Sequence, residues 1–168
     1  MGVTTWRQTS RRIHVETSIR APIESVWLHT QSPELHARWD ARFSTIDPID
    51  GAGDGRLRFR YSRRILPGLT IEGVGESIGH RRRADGSATS SLTFRSSDWR
   101  SLIQSGSGYW KYIPTDDGVR FLTEYTYRPR WGRFGRLIDR IAFRPVFAWL
   151  TAWSFERLRI WLETGKVP

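Results

Sequence analysis

The chain has 168 residues, a formal charge of +10, 38% hydrophobic and 13% aromatic residues, nine Trp and no Cys, enough apolar surface for one packed core and too much for wholesale disorder. The missing Cys excludes disulfides, zinc thiolate sites and thiol catalysis. No run of about 18 uncharged apolar residues suggests a transmembrane helix, residues 1–12 lack the apolar stretch of a secretory signal, and the Arg residues are dispersed from Arg7 to Arg159 rather than gathered as a nucleic-acid patch.

Residues 1–11 are polar and read as a loose tail, leaving 12–168 as a single domain. Ile13, Val15, Thr17 and Ile19 alternate with Arg12, His14, Glu16 and Ser18, the pattern of a half-buried strand. Pro22 then suits the first turn of a helix whose Ile23, Val26, Trp27 and Thr30 share one face. Ser32-Pro33-Glu34 starts a second short helix that ends at Trp39, with Ser32 as its N-cap. From 42 to 128 strands alternate with turns at 51–55, Pro67-Gly68, Asp85-Gly86 and Asp117-Gly118. Leu57, Phe59 and Tyr61, then Leu92 and Phe94, Trp110 and Tyr112, and Phe121, Thr123, Tyr125 and Tyr127 alternate with polar neighbours. That predicts an antiparallel sheet with one covered face. Pro145 interrupts the last helical pattern and predicts two helices, at about 132–143 and 145–163. The second has a wide apolar arc that includes Val146, Trp149, Trp153, Phe155 and Leu158, so Trp153 is expected in the core. The fold class is α+β.

The opening Val15-Glu16-Thr17-Ser18-Ile19-Arg20-Ala21-Pro22-Ile23-Glu24-Ser25-Val26-Trp27 resembles the helix-grip superfamily of START domains, Bet v 1 type proteins and bacterial polyketide cyclase/dehydrase-like proteins, the SRPBCC group. So do Ser32-Pro33-Glu34-Leu35-His36, Trp39-Asp40 and the hairpin from Gly108 to Pro114 with Asp117 to Arg120. The resemblance implies a curved six- to seven-stranded antiparallel sheet around a long C-terminal helix, with two short helices after the first strand. It also implies an apolar ligand cavity. The segment 132–143 is an addition to the pattern.

Little in the chain is catalytic on its face. His14, His29, His36 and His80 read as surface or loop residues, no metal motif is present, and Asp40 reads as a turn residue, with a buried acid as the alternative. Glu72 and Glu76 share a strand face and read as solvated. Gly73-Val74-Gly75 and Gly106-Ser107-Gly108 open no helix, so they read either as bends or as room beside a cavity. The aromatic interior points to a cytoplasmic protein that binds or carries a hydrophobic or amphipathic small molecule, lipid or polyketide-like, without a cofactor or metal. Its expected contacts are Trp27, Trp39, Tyr61, Trp110, Tyr112, Tyr125 and Trp153, with Arg38 at the mouth for a ligand carboxylate or phosphate. The alternatives are a cyclase or dehydratase acting on a polyketide-like ring, for which no acid–base pair stands out, and a peripheral membrane protein. For the last, residues 131–144 set Arg133, Arg136 and Arg140 beside a row of apolar side chains. This suits either weak contact with an anionic membrane surface or ordinary packing on the sheet edge.

Overall fold

The computed structural model describes residues 4–8, 12–49 and 57–168, with Gln8 and Leu66 as backbone only. The turn expected at 51–55 lies outside the described residues. In chain order the elements are β1 (Thr5–Gln8), β2 (Ile13–Ile19), α1 (Ile23–Gln31), α2 (Pro33–Trp39), β3 (Thr45–Pro48), β4 (Arg58–Leu66), β5 (Leu69–Arg82), β6 (Ala88–Arg95), β7 (Ile103–Thr115), β8 (Gly118–Pro129), α3 (Gly132–Ile138), a π-helical turn (Asp139–Phe143) and α4 (Arg144–Thr164). The strands form one antiparallel sheet in the order β1-β2-β8-β7-β6-β5-β4-β3.

The sheet has eight strands rather than six or seven. Part of the difference is β1, which falls in the stretch expected as a tail: Trp6 pairs with Val15, and the Thr4 hydroxyl bridges Thr17 Oγ1 and Glu156 Oε2 at 3.0 Å each. A four-residue strand is too short to show alternation in sequence, and it forms here because β2 offers an open edge.

The alternation read in the sequence does set the faces. Ile13, Val15, Ile19, Val119, Phe121 and Tyr112 are buried on the side that faces α4. There Phe155 of α4 stacks on Phe121 at 4.5 Å, and Trp39 closes the cluster at 6.2 Å. A curved sheet wrapped round one long helix, with α1 and α2 as the first crossover, is a helix grip.

Two expectations about the helix are corrected. First, Pro145 does not break it. Arg144 keeps right-handed helical angles (φ −62, ψ −47), and α3 runs into α4 through the π turn. In the wider turn the Arg144 N–H reaches the Asp139 carbonyl five residues back, and Pro145 then falls in the first turn of α4, where its missing N–H is tolerated. It is tied to β8 by Asp139, which accepts from the Tyr127 hydroxyl at 2.5 Å and from Arg144 Nη2 at 2.7 Å. Second, Trp153 is 45% exposed and Trp149 is 55% exposed; their rings stack on each other at 5.9 Å on the outside. The buried line of α4 is Ala148, Thr151, Ala152, Ser154, Phe155 and Leu158. Mostly small residues let the helix approach β1 and β2 closely, and the bulkier indoles are turned away.

The strand glycines make room for rings. A Cβ at Gly73 would lie 2.2 Å from the Tyr61 hydroxyl, one at Gly75 would lie 2.2 Å from the Phe59 ring, and one at Gly106 would lie 2.4 Å from the Phe94 ring. Each ring reaches over a glycine on the neighbouring strand.

Candidate ligand-binding site

Between the β4–β8 part of the sheet, α2 and the start of α4 lies a cavity of about 570 Å³. Phe59, Tyr61, Leu92 and Phe94 form much of its floor, with Trp110 and Tyr125 further along the sheet. Ile138, Phe143, Phe147 and Leu150 face them from the helix. Leu57, Ile65, Ala142 and Val146 line it yet remain exposed, so the cavity opens between β4 and the π turn.

One wall is polar. Asp40, 1% exposed, ends α2. It accepts from Arg42 Nε at 2.9 Å and Arg42 Nη2 at 2.6 Å, and it pairs with His36 Nε2 at 2.9 Å. Burial alone would raise the Asp40 pKa; the Arg42 guanidinium and the bonds from Arg42 and His36 outweigh it and hold the carboxyl well below the usual range. Burial likewise opposes the Arg42 charge, and Asp40 more than restores it. The guanidinium lies 5.9 Å from the Tyr125 ring and 5.8 Å from the Phe147 ring. The Tyr125 hydroxyl donates to Thr151 Oγ1 at 2.9 Å, which itself donates to the Phe147 carbonyl. Burial pushes the Tyr125 and Tyr61 hydroxyls up to about 12, so both are neutral hydrogen-bonding groups at physiological pH. A second polar spot joins Thr30, Gln31 and Ser90: Ser90 Oγ donates to Gln31 Oε1 at 3.3 Å, and Gln31 Nε2 donates to the Tyr112 hydroxyl at 3.0 Å.

Of the eight residues expected to meet a ligand, Tyr61, Trp110 and Tyr125 line the cavity. The other five are placed elsewhere. Trp39 is fully buried behind His36, with Nε1 donating to the His29 carbonyl at 2.9 Å. Tyr112 is buried and its hydroxyl is held by Thr30 and Gln31. Trp27 packs between His80 and Tyr112, Arg38 is exposed with its guanidinium 5.2 Å from the Trp161 ring, and Trp153 is on the outer face. The sequence reading missed His36, Arg42, Phe43 and Arg63. His36 is a buried cavity residue rather than a surface one, and Asp40 is a buried ion-pair partner as well as a turn residue. The signal available was Asp40 four residues after His36 and two before Arg42. No group of three or more metal-binding side chains occurs among the described residues, and none of their helices is long and apolar enough to cross a membrane.

No family model matches the chain. It is 43% identical over 157 residues to a protein of Bacillus subtilis (strain 168) called "Uncharacterized membrane protein YndG"; the match takes in 93% of this chain but 59% of that relative. The chain thus spans about three fifths of the length of the curated relative it matches. Among solved structures it is similar to a STAR-related lipid transfer protein from Xanthomonas axonopodis, with a TM-score of 0.68 and 16% identity, over 95% of this chain and 92% of the other. It is also similar to the Zhui aromatase/cyclase from Streptomyces sp. R1128, with a TM-score of 0.65 and 13% identity, over 94% and 99% of the two chains. At such identities these likenesses concern the fold.

Proposed function

We propose that this chain, a helix-grip domain of the START and polyketide-cyclase type of fold, binds or carries a hydrophobic or amphipathic small molecule in the space between its sheet and its C-terminal helix. The observation that carries the reading is the cavity of about 570 Å³, floored by aromatic rings and open at one side. Ligand sites of small molecules span about 300–1,000 Å³ and are mostly apolar with a few placed polar groups. The names of the lipid transfer protein and the aromatase/cyclase support a lipid or polyketide-like ligand. We assign Tyr61, Trp110 and Tyr125 as contacts, and we place the protein in the cytoplasm. Leu92→Trp tests the assignment, because Leu92 is half-buried on the cavity floor and a larger ring there fills the space. A fluorescent apolar probe should bind the parent with micromolar affinity and quench its Trp emission. The variant should bind at least tenfold more weakly and melt near the parent temperature. Unchanged probe affinity would place the bound probe outside the cavity.

A second reading, membrane-surface contact, is favoured by an exposed ridge that runs past the cavity mouth. Phe134, Leu137, Ile141, Val146, Trp149 and Trp153 are 45–69% exposed along α3, the π turn and α4. Exposed Arg133, Arg136 and Arg140 flank its first part. Apolar side chains beside cations are what an interfacial helix presents to anionic lipid, and the membrane wording in the relative's name agrees with it. Cosedimentation with vesicles of anionic phosphatidylglycerol should exceed that with phosphatidylcholine and fade with salt. At about 1 kcal/mol per basic residue, changing Arg133, Arg136 and Arg140 to Gln should weaken it roughly a hundredfold at low salt. Equal, negligible binding to both vesicles removes the membrane from the account.

A further inference from the structure

Among the described residues two guanidiniums line the cavity, those of Arg42 and Arg63, and no Asp or Glu does. Arg42 is answered from behind the wall by Asp40. Arg63 is not. It projects from the cavity face of β4, between Tyr61 and the exposed Ile65, and is half-buried. Its Nη1 donates to the Ala41 carbonyl, and among the described residues no carboxylate pairs with it. A neutral carbonyl satisfies one of the five N–H groups of a guanidinium and leaves the charge unanswered. The Ala41 contact fixes the planar fork, so the remaining donors are pre-oriented where burial strengthens a charge-assisted bond.

We infer that the ligand carries a single anionic head, a carboxylate or a phosphate, which Arg63 receives near the cavity mouth while an apolar body lies on the rings of Phe59, Tyr61 and Phe94. This rests on the cavity reading above and narrows it. Arg63 takes the role that the sequence suggested for Arg38, because strand β4 turns it inward whereas α2 turns Arg38 out.

The test compares cis-parinaric acid with its uncharged methyl ester, which share one polyene body and differ in the head. The parent protein should bind the acid at least tenfold more tightly than the ester at pH 8. Arg63→Gln should abolish that preference by weakening the acid and leaving the ester unchanged, and Arg63→Lys should restore part of it. Displacement of the acid by oleate or by oleoyl lysophosphatidate then tells whether carboxylate or phosphate is preferred, by which acts at the lower concentration. Equal affinity of the parent for acid and ester overturns the inference whether or not any variant folds, and leaves the cavity reading standing. A preference that survives in Arg63→Gln overturns it too. Failure of both probes to bind the parent overturns the cavity reading and this inference with it.

Discussion

Asp40→Ala is expected to cost about 3–5 kcal/mol, because breaking a buried ion pair leaves the other charge without its partner. The side chain of Asp40 has no exposed surface, that of Arg42 is 8% exposed, and both rest on a wall that also holds His36. Removing the carboxylate takes two side-chain hydrogen bonds and the opposite charge from a guanidinium that lies beside the Tyr125 and Phe147 rings. At roughly 2–4 °C per kcal/mol for a domain of this size, the melting temperature should fall by about 6–20 °C. Asp40→Ala combined with Arg42→Met should recover part of the loss, since it leaves no orphan charge. The same pair sets an acid limit. A carboxylate whose folded pKa lies below its unfolded value contributes stability that is present above about pH 4 and is lost as pH falls toward the folded value. Denaturant titrations at neutral and acid pH should therefore converge for parent and Asp40→Ala as the pH drops. A variant that melts within about 2 °C of the parent at pH 7 would limit the loss to about 1 kcal/mol and overturn the expected cost.

Phe155→Ala should be of similar size, about 3–5 kcal/mol, whereas Trp153→Ala should stay under about 1 kcal/mol. Two residues apart on α4, they differ in what they face. Phe155 has no exposed surface and lies against Phe121 and Trp39. Trp153 touches Trp149 and the Arg157 guanidinium on the outside. Guanidinium unfolding of the pair of variants decides the orientation of the helix: a Trp153→Ala loss as large as that of Phe155→Ala would place the indole in the core.

This contrast marks where the sequence stopped being legible. A strand repeats every two residues, so the faces of β2, β4, β6 and β8 could be read from Ile13-His14-Val15 or Phe121-Leu122-Thr123 without knowing the partners. The long helix offered rings on both sides, and only the close approach of β1 and β2 selects the side with Ala148, Ala152 and Ser154. The polar wall was hidden for a related reason. His36, Asp40 and Arg42 are near in sequence, but what makes them a buried cluster is Thr151 and Phe147, more than a hundred residues later. Of the expected contacts, Tyr61, Trp110 and Tyr125 on the strands line the cavity. Trp27 and Arg38 do not line it, because a helix turns each residue by about 100° and a short helix gives too few turns to fix its phase.

The rings laid over Gly73, Gly75 and Gly106 have a consequence for how such a domain changes its ligand. Because each ring can reach over the next strand only where that strand lacks a Cβ, the floor level of the cavity is written in the backbone beneath it. One methyl group added at Gly75 meets only the Phe59 ring and must tip it up into the vacant volume, shortening the longest molecule the domain can hold; at Gly106 the Thr126 carbonyl would stand in its way as well. Ligand length is thus adjustable from below, at positions no ligand reaches, while every side chain that meets the ligand keeps its identity.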